Sequence, residues 1–163
     1  MSDKLTRLIW SLRYSGHVPT KDGKHLMRSK SQHSVEAAKC LKLVLAAINK
    51  KNATGGALRH TITHGTLHSS IKTKKVITKL LECGASPKTK DDKGQTALAY
   101  AIGYYDDGDE WMLKLLCEHG ADINGADIQP ALEHRLEMTW RPKFKKLKAA
   151  LIKLGLEITD EET

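Results

Sequence analysis

The sequence predicts an all-α solenoid of stacked antiparallel helix pairs, joined by short hairpin-like loops and closed by divergent terminal caps. Three observations predict it. A phrase recurs: K-L-L-E-C-G-A-S, Lys79 to Ser86, returns 36 positions later as L-L-C-E-H-G-A-D, Leu115 to Asp122. A fainter copy, Leu151 to Ile158, sets Gly155 35 positions after Gly120. Next, Gly84, Gly120 and Gly155 each follow an apolar run, where a helix ends in a left-handed residue that costs glycine no Cβ clash. Finally, Thr96 stands before Ala97, Leu98, Ala101 and Ile102, whose spacing is helical rather than alternating. Helix pairs repeating at such a period stack to share a core, and a stack of this kind usually binds rather than catalyses.

Each element follows from its residues. Leu5, Leu8, Ile9 and Leu12 give a first amphipathic helix starting near Ser2 or Asp3. Residues 18–34 lack apolar periodicity, contain Pro19 and Gly23, and read as a long mobile loop. Val35, Ala38, Leu41, Leu45 and Ile48, flanked by Ala37, Cys40 and Val44, predict a long second helix that ends over Asn49–Gly56. Gly55 to Ile62 and Gln129 to Leu136 read as degenerate starts of inner helices. Thr96 is a good N-cap, because its hydroxyl accepts a hydrogen bond from an orphan amide. The small Ala97, Ala99 and Ala101 behind it allow close approach of a neighbour. Outer helices are predicted at Val76–Ile77–Leu80–Leu81, at Trp111–Met112–Leu113–Leu115–Leu116, and at Phe144–Leu147–Ala150–Leu151–Leu154. The chain closes on T-D-E-E-T, expected to fray. Strand signal is slight throughout.

These residues resemble the ankyrin repeat, whose period is roughly 33 residues and whose signature is T-P-L-H-x-A. The signature reads Thr96-Ala97-Leu98-Ala99-Tyr100-Ala101 here, with Ala97 for the proline and Ala99 for the histidine. The family's G-A-D-x-N turn is matched in full by Gly120-Ala121-Asp122-Ile123-Asn124 and in part by Gly84-Ala85-Ser86-Pro87-Lys88. The close match covers Val76 to Asn124, and weaker copies carry it to residues 52–158. The resemblance implies one domain: a divergent N-terminal helical cap over 1–51, best-matching repeats over 52–124, a C-terminal repeat or cap over 125–158, and an acidic tail over 159–163. It also implies that loop tips and exposed inner-helix side chains grip a partner. By position these are Lys90, Asp92, Lys93 and Gln95 at the Lys-Asp-Asp-Lys tip, with Tyr104 nearby and Thr63 and His64 in the weaker copy.

Composition bounds the rest. The 163 residues suit one domain. No run approaches the roughly 20 apolar residues of a membrane span, and the N-terminus lacks the apolar stretch of a signal peptide. Cys40, Cys83 and Cys117 form an odd set without paired spacing, which suggests a reducing, cytoplasmic compartment; Cys83 and Cys117, near outer-helix ends, read as buried structural thiols. Without export, the sequon Asn52-Ala53-Thr54 carries no glycan. Charge is uneven: residues 1–80 hold 16 Lys/Arg against 3 Asp/Glu, whereas residues 81–138 hold 5 against 12. In a stack, sequence order becomes spatial order, so such a bias offers separate patches to acidic and basic partners.

Candidate sites follow from these patches. Lys72, Lys74, Lys75 and Lys79 cluster, offering a site for phosphate or an acidic partner. Direct nucleic-acid binding is the alternative reading of this basic half, although Trp10 and Tyr14 are its only aromatics and make a poor stacking platform. His60, His64 and His68 would share a helix face and could hold zinc, but Gly65 interrupts them. Tyr104 to Glu110, Y-Y-D-D-G-D-E, is an insertion relative to the ankyrin pattern. It lacks the alternating ligands of a calcium loop. Its Tyr104, Tyr105, Asp106, Asp107 and Asp109 read as a recognition loop, with rigid aromatic contact area and selective charge. A tolerated surface insertion is the plainer alternative.

No Gly-rich phosphate loop, G-x-S-x-G or H-E-x-x-H occurs, so no enzyme activity and no cofactor are expected. The expected function is to bind another protein as a stand-alone adaptor or inhibitor, by steric and electrostatic occupation of its surface. A bacterial effector acting in a host cell, or a phage-encoded antagonist of a host system, would suit such a chain. No membrane or small-molecule partner is expected.

Overall fold

The structure is a computed structural model, and it describes residues 4–14, 17–19, 25–27, 30–65, 71–106, 108–138 and 141–157. Eight helices account for nearly all regular structure there, and the fold class is all-α. The contacts divide the chain into two compact units, Met1–Ala85 and Ser86–Thr163.

The first unit contains α1 (Lys4–Tyr14), α2 (Lys30–Ala47), α3 (Gly55–Gly65) and α4 (Ile71–Glu82). Leu5 and Ile9 of α1 are buried one turn apart, as are Val44 of α2 and Ile48 just beyond it. Helix α3 buries Ala57, Leu58, Thr61 and Ile62; α4 buries Thr73, Val76, Ile77, Leu80 and Leu81. These are 3.6-residue stripes, and each finds a facing stripe. Helix α1 packs on α2 and α3, α4 packs on α3, and α2 packs on α4. The segment expected as a cap therefore supplies a helix pair that stacks on the next pair, inner helix on inner and outer on outer.

One local expectation is corrected here. Residues 18–34 were expected as a loop, but two short strands, β1 (His17–Pro19) and β2 (His25–Met27), pair antiparallel with Val18 opposite Leu26. Helix α2 already begins at Lys30. Helix α3 starts at Gly55, where the degenerate inner-helix start was expected. Thr54 makes this start, its hydroxyl accepting the amide of Ala57 at 3.1 Å.

The second unit contains α5 (Ala97–Gly103), α6 (Glu110–Glu118), α7 (Ile128–Met138) and α8 (Arg141–Lys153). Helix α5 packs on α6 and α7, and α8 packs on α6 and α7. Five of the seven residues of α5 are buried, including all three small alanines. Met112, Leu113 and Leu116 of α6 and Leu147 and Leu151 of α8 are buried, whereas Trp111, Leu115, Phe144, Ala150 and Leu154 are half-buried. Cys83 and Cys117, expected to be buried thiols, are free and only half-buried, as is Cys40; Cys83 lies just past the end of α4.

The three glycine turns share one geometry. After α4, α6 and α8, the residue beyond glycine donates its amide five positions back: Ala85 to Leu80 at 2.9 Å, Ala121 to Leu116 at 2.9 Å, and Leu156 to Leu151 at 3.0 Å. Each glycine donates three positions back. This is the Schellman arrangement, which satisfies orphan carbonyls and requires a left-handed residue. Gly84, Gly120 and Gly155 adopt φ of 101°, 90° and 105°.

Polar bonds tie one pair to the next within the second unit. The amide and hydroxyl of Thr96 both donate to Asp127 Oδ2, at 2.9 and 2.7 Å, while Thr96 Oγ1 accepts from Ala99 N at 3.4 Å. Asn124 Nδ2 donates to the Gly155 carbonyl at 3.2 Å, and Glu157 N donates to Asn124 Oδ1 at 2.9 Å. Thr96→Val keeps the side-chain shape and removes both hydroxyl bonds. It is expected to cost about 1–2 kcal/mol in urea unfolding. An unchanged midpoint would show that the cap contributes nothing.

Candidate partner-binding surface

The tip at Lys90–Gln95 is built around Asp91. An aspartate at the head of a polar turn can bond backbone amides two or more residues on. Here Asp91 Oδ1 accepts the amides of Lys93 and Gln95, both at 2.9 Å. Its own amide donates to the Gln95 carbonyl at 3.1 Å, and Gly94 N donates to the Asp91 carbonyl at 2.9 Å. Asp91 Oδ2 accepts the Tyr100 hydroxyl at 2.6 Å, which clamps the tip to the inner helix α5. Lys90, Asp92 and Lys93 are left exposed, and Gln95 is half-buried. Asp91 and Tyr100, absent from the sequence-derived site, hold this tip in shape; the Asp-to-Gly turn spacing was the signal for the first of them.

The acidic insertion behaves differently from its expectation. Tyr104 is 51% exposed, but Tyr105 is 1% exposed and donates its hydroxyl to Glu110 Oε1 at 2.7 Å. Asp109 is also buried, at 3% exposure, and its Oδ2 accepts the Asp106 amide at 3.0 Å. Arg135 of α7 donates to the Gly103 carbonyl at 3.0 Å and to the Tyr105 carbonyl. The reason is a matter of satisfying the backbone. A chain leaving α5 carries free carbonyls, and burying them requires a donor, which Arg135 supplies. Tyr105 and Asp109 are thus turned inward rather than presented as contact residues, Asp106 is half-buried, and Asp107 lies outside the described residues. Tyr104 is the tyrosine left facing solvent.

The basic cluster is partly gathered. Lys74 and Lys75 are exposed and Lys79 half-buried, and together with Leu45 of α2 and Ile71, Thr78 and Glu82 of α4 they line a groove of ≈ 610 Å³. Lys72 is half-buried and not part of it.

His60 and His64 stack on α3 with ring centroids 4.4 Å apart and planes 22° from parallel. Thr63 Oγ1 lies 2.6 Å from His64 Nδ1, in a hydrogen bond. Thr63 and His64 are both half-buried, and His68 lies outside the described residues. Among the described residues no group of three or more metal-ligating side chains converges. His60 Nε2 is buried and bonded to no protein group. Burial first, and the neighbouring His64 second, hold the His60 imidazole below its ordinary pKa of 6.5. In the unfolded chain His60 protonates near 6.5, while in the folded chain it stays neutral to lower pH. Its stabilising contribution is therefore full above pH 6.5 and lost as pH falls through the folded value. The melting temperature should fall between pH 7 and pH 5 with a slope that His60→Gln reduces. An identical slope in the variant would exclude His60 as its source.

Comparison with known proteins bears on the family and fold. A profile of three ankyrin repeats matches residues 26–127, more than half of the chain. That match begins within β2 and takes in α2. The chain is also 38% identical over 73 residues to FPV233 of fowlpox virus (strain NVSL), a protein named for ankyrin repeats. The alignment covers 45% of this chain and 12% of that protein, so the chain spans a small fraction of this curated relative. No solved structure matches the chain. No helix among the described residues is long and apolar enough to cross a membrane.

Proposed function

Because the chain belongs to the ankyrin-repeat family, we propose that it binds a partner protein through the Lys90–Gln95 tip and Tyr104, and acts by occupying that partner's surface. Ankyrin repeats are generally protein-interaction modules. The observation that carries this reading is the tip locked by Asp91. Its five bonds (four within the turn and one to Tyr100) order the loop before any partner arrives. A loop already held in shape loses little conformational entropy on binding, so more of each contact's free energy appears as affinity.

The exposed side chains suit recognition of a mixed-charge surface. Lys90 and Lys93 flank Asp92 within four residues, so a partner must answer two positive groups and one negative in a fixed order. Tyr104 adds an amphipathic ring with few rotamers to freeze. Occupation of the partner's surface then recruits, blocks or inhibits it by steric exclusion. Such a mechanism requires no catalytic group.

The test uses a partner captured by the immobilised full chain. Charge exchange at Asp92→Lys with Lys93→Glu is expected to weaken that partner's binding by about tenfold or more, and Tyr104→Ala by a similar factor. Asp91→Ala removes no exposed contact. It should nevertheless weaken binding several-fold and accelerate amide exchange at Lys93 and Gln95. Unaltered affinity in the charge-exchanged and Tyr104 variants would reject the tip as the binding surface.

A further inference from the structure

We propose that the lysine-rimmed groove between α2 and α4 docks an acidic amphipathic helix of a partner protein. The site is separate from the tip and does not depend on it. Its apolar part is Leu45 of α2 and Ile71 of α4, and Ile71 is 75% exposed, the largest such exposure of an aliphatic side chain among the described residues. A bulky β-branched residue at the first position of a helix, standing in water beside a groove of ≈ 610 Å³, offers contact area that no described residue of its unit covers.

The rim sets the chemistry of the occupant. Ile71, Lys75 and Lys79 follow one another at i, i+4 and i+8 on α4, so an apolar anchor and two ammonium groups lie along one stripe of roughly 12 Å. Lys74 stands beside them, and Glu82 is the one acidic residue among the described lining. Three positive groups against one negative, around an apolar floor, complement a helix with an apolar face and carboxylates on its flanks. The aliphatic stems of Lys75 and Lys79 can add to the floor while their charged ends reach water. A narrow phosphate site would need a tighter set of donors, and a nucleic-acid strand would gain nothing from Ile71.

The same juxtaposition recurs in the second unit. Between α6 and α8 a groove of ≈ 460 Å³ is lined by Lys114, Lys146 and Lys153 with Ala149, Ala150, Leu154 and one acid, Glu110. Lys146 and Lys153 of this groove come from beyond the acidic stretch 81–138, and Lys114 also pairs with Glu118 at 3.8 Å. Both units thus place three lysines and one glutamate about an apolar cleft between outer helices.

Binding of fluorescent synthetic peptides of about sixteen residues, roughly four helical turns, to the isotopically labelled full chain tests the proposal. The probes are a peptide with a leucine stripe and glutamate flanks, its counterpart with lysine flanks, a glutamate peptide with the leucines replaced by glutamine, and a single-stranded oligonucleotide. The leucine–glutamate peptide is expected to bind about tenfold more tightly than each of the others. Its chemical-shift changes should centre on Leu45 and residues 71–82. Ile71→Ser and Lys75→Glu, both exposed and therefore expected to leave the melting temperature unchanged, should each weaken it several-fold. The Asp92→Lys, Lys93→Glu chain should bind it as the unaltered chain does, which separates this site from the tip. Equal binding of the glutamine-substituted peptide, binding of the oligonucleotide with a steep salt dependence, shifts centred on residues 90–95, or no binding of any peptide would each overturn it.

Discussion

A helix of seven residues, such as α5, or nine, such as α6, does not persist alone in water. Nucleating a helix fixes several dihedral angles for one hydrogen bond, and so few residues cannot recover that cost by propagation. Everything else in the second unit follows from this constraint. The apolar stripe of α5 is stabilised where α6 and α7 cover it, and that of α6 against α5 and α8. The first unit solves the same problem with α1 on α3 and α2 on α4. Stacking also brings the helix ends of successive pairs together. Thr96 with Asp127, Gly103 and Tyr105 with Arg135, and Asn124 with Gly155 all bond across 30 to 32 residues. These bonds satisfy polar groups that short helices leave in abundance, because a short helix has proportionally more ends.

Recognition is then confined to what stacking does not consume. Asp91 is half-buried and spent on its own turn, and its neighbours Lys90, Asp92 and Lys93 are free to face outward because it is not. Tyr104 and Tyr105 divide the same way. One is exposed and the other is packed inside with its hydroxyl on Glu110. A segment rich in acid and tyrosine can thus be mostly framework, leaving a few side chains for contact.

Charge counted along the chain is a coarse guide to charge at a surface. The second unit begins in an acidic stretch, yet Asp91, Asp109 and Asp127 are engaged with amides and hydroxyls of their own unit, while Lys114, Lys146 and Lys153 gather at a groove. A carboxylate that accepts backbone hydrogen bonds serves the fold first. What a partner meets is set by the groups left over and by where the helices put them.

Local chemistry was legible in the residues themselves. The glycines at 84, 120 and 155 announced their turns because only a left-handed residue completes that hydrogen-bond pattern. Thr96 announced α5, and the stripe Val76, Ile77, Leu80 and Leu81 announced the buried face of α4, since capping and periodicity act within a few residues. The pairing of His17–Pro19 with His25–Met27 was not legible, because strands of three residues are too short to show alternation. The backbone of the buried Tyr105 is satisfied by Arg135, 30 residues away, and the lysine groove takes Leu45 from one helix and Lys75 from another. The sequence by itself determined helix pairs, their turns and their repeat. Only the tertiary structure decided which polar side chains are spent on holding pairs together and which remain for a partner, because that choice rests on contacts between residues far apart in the chain.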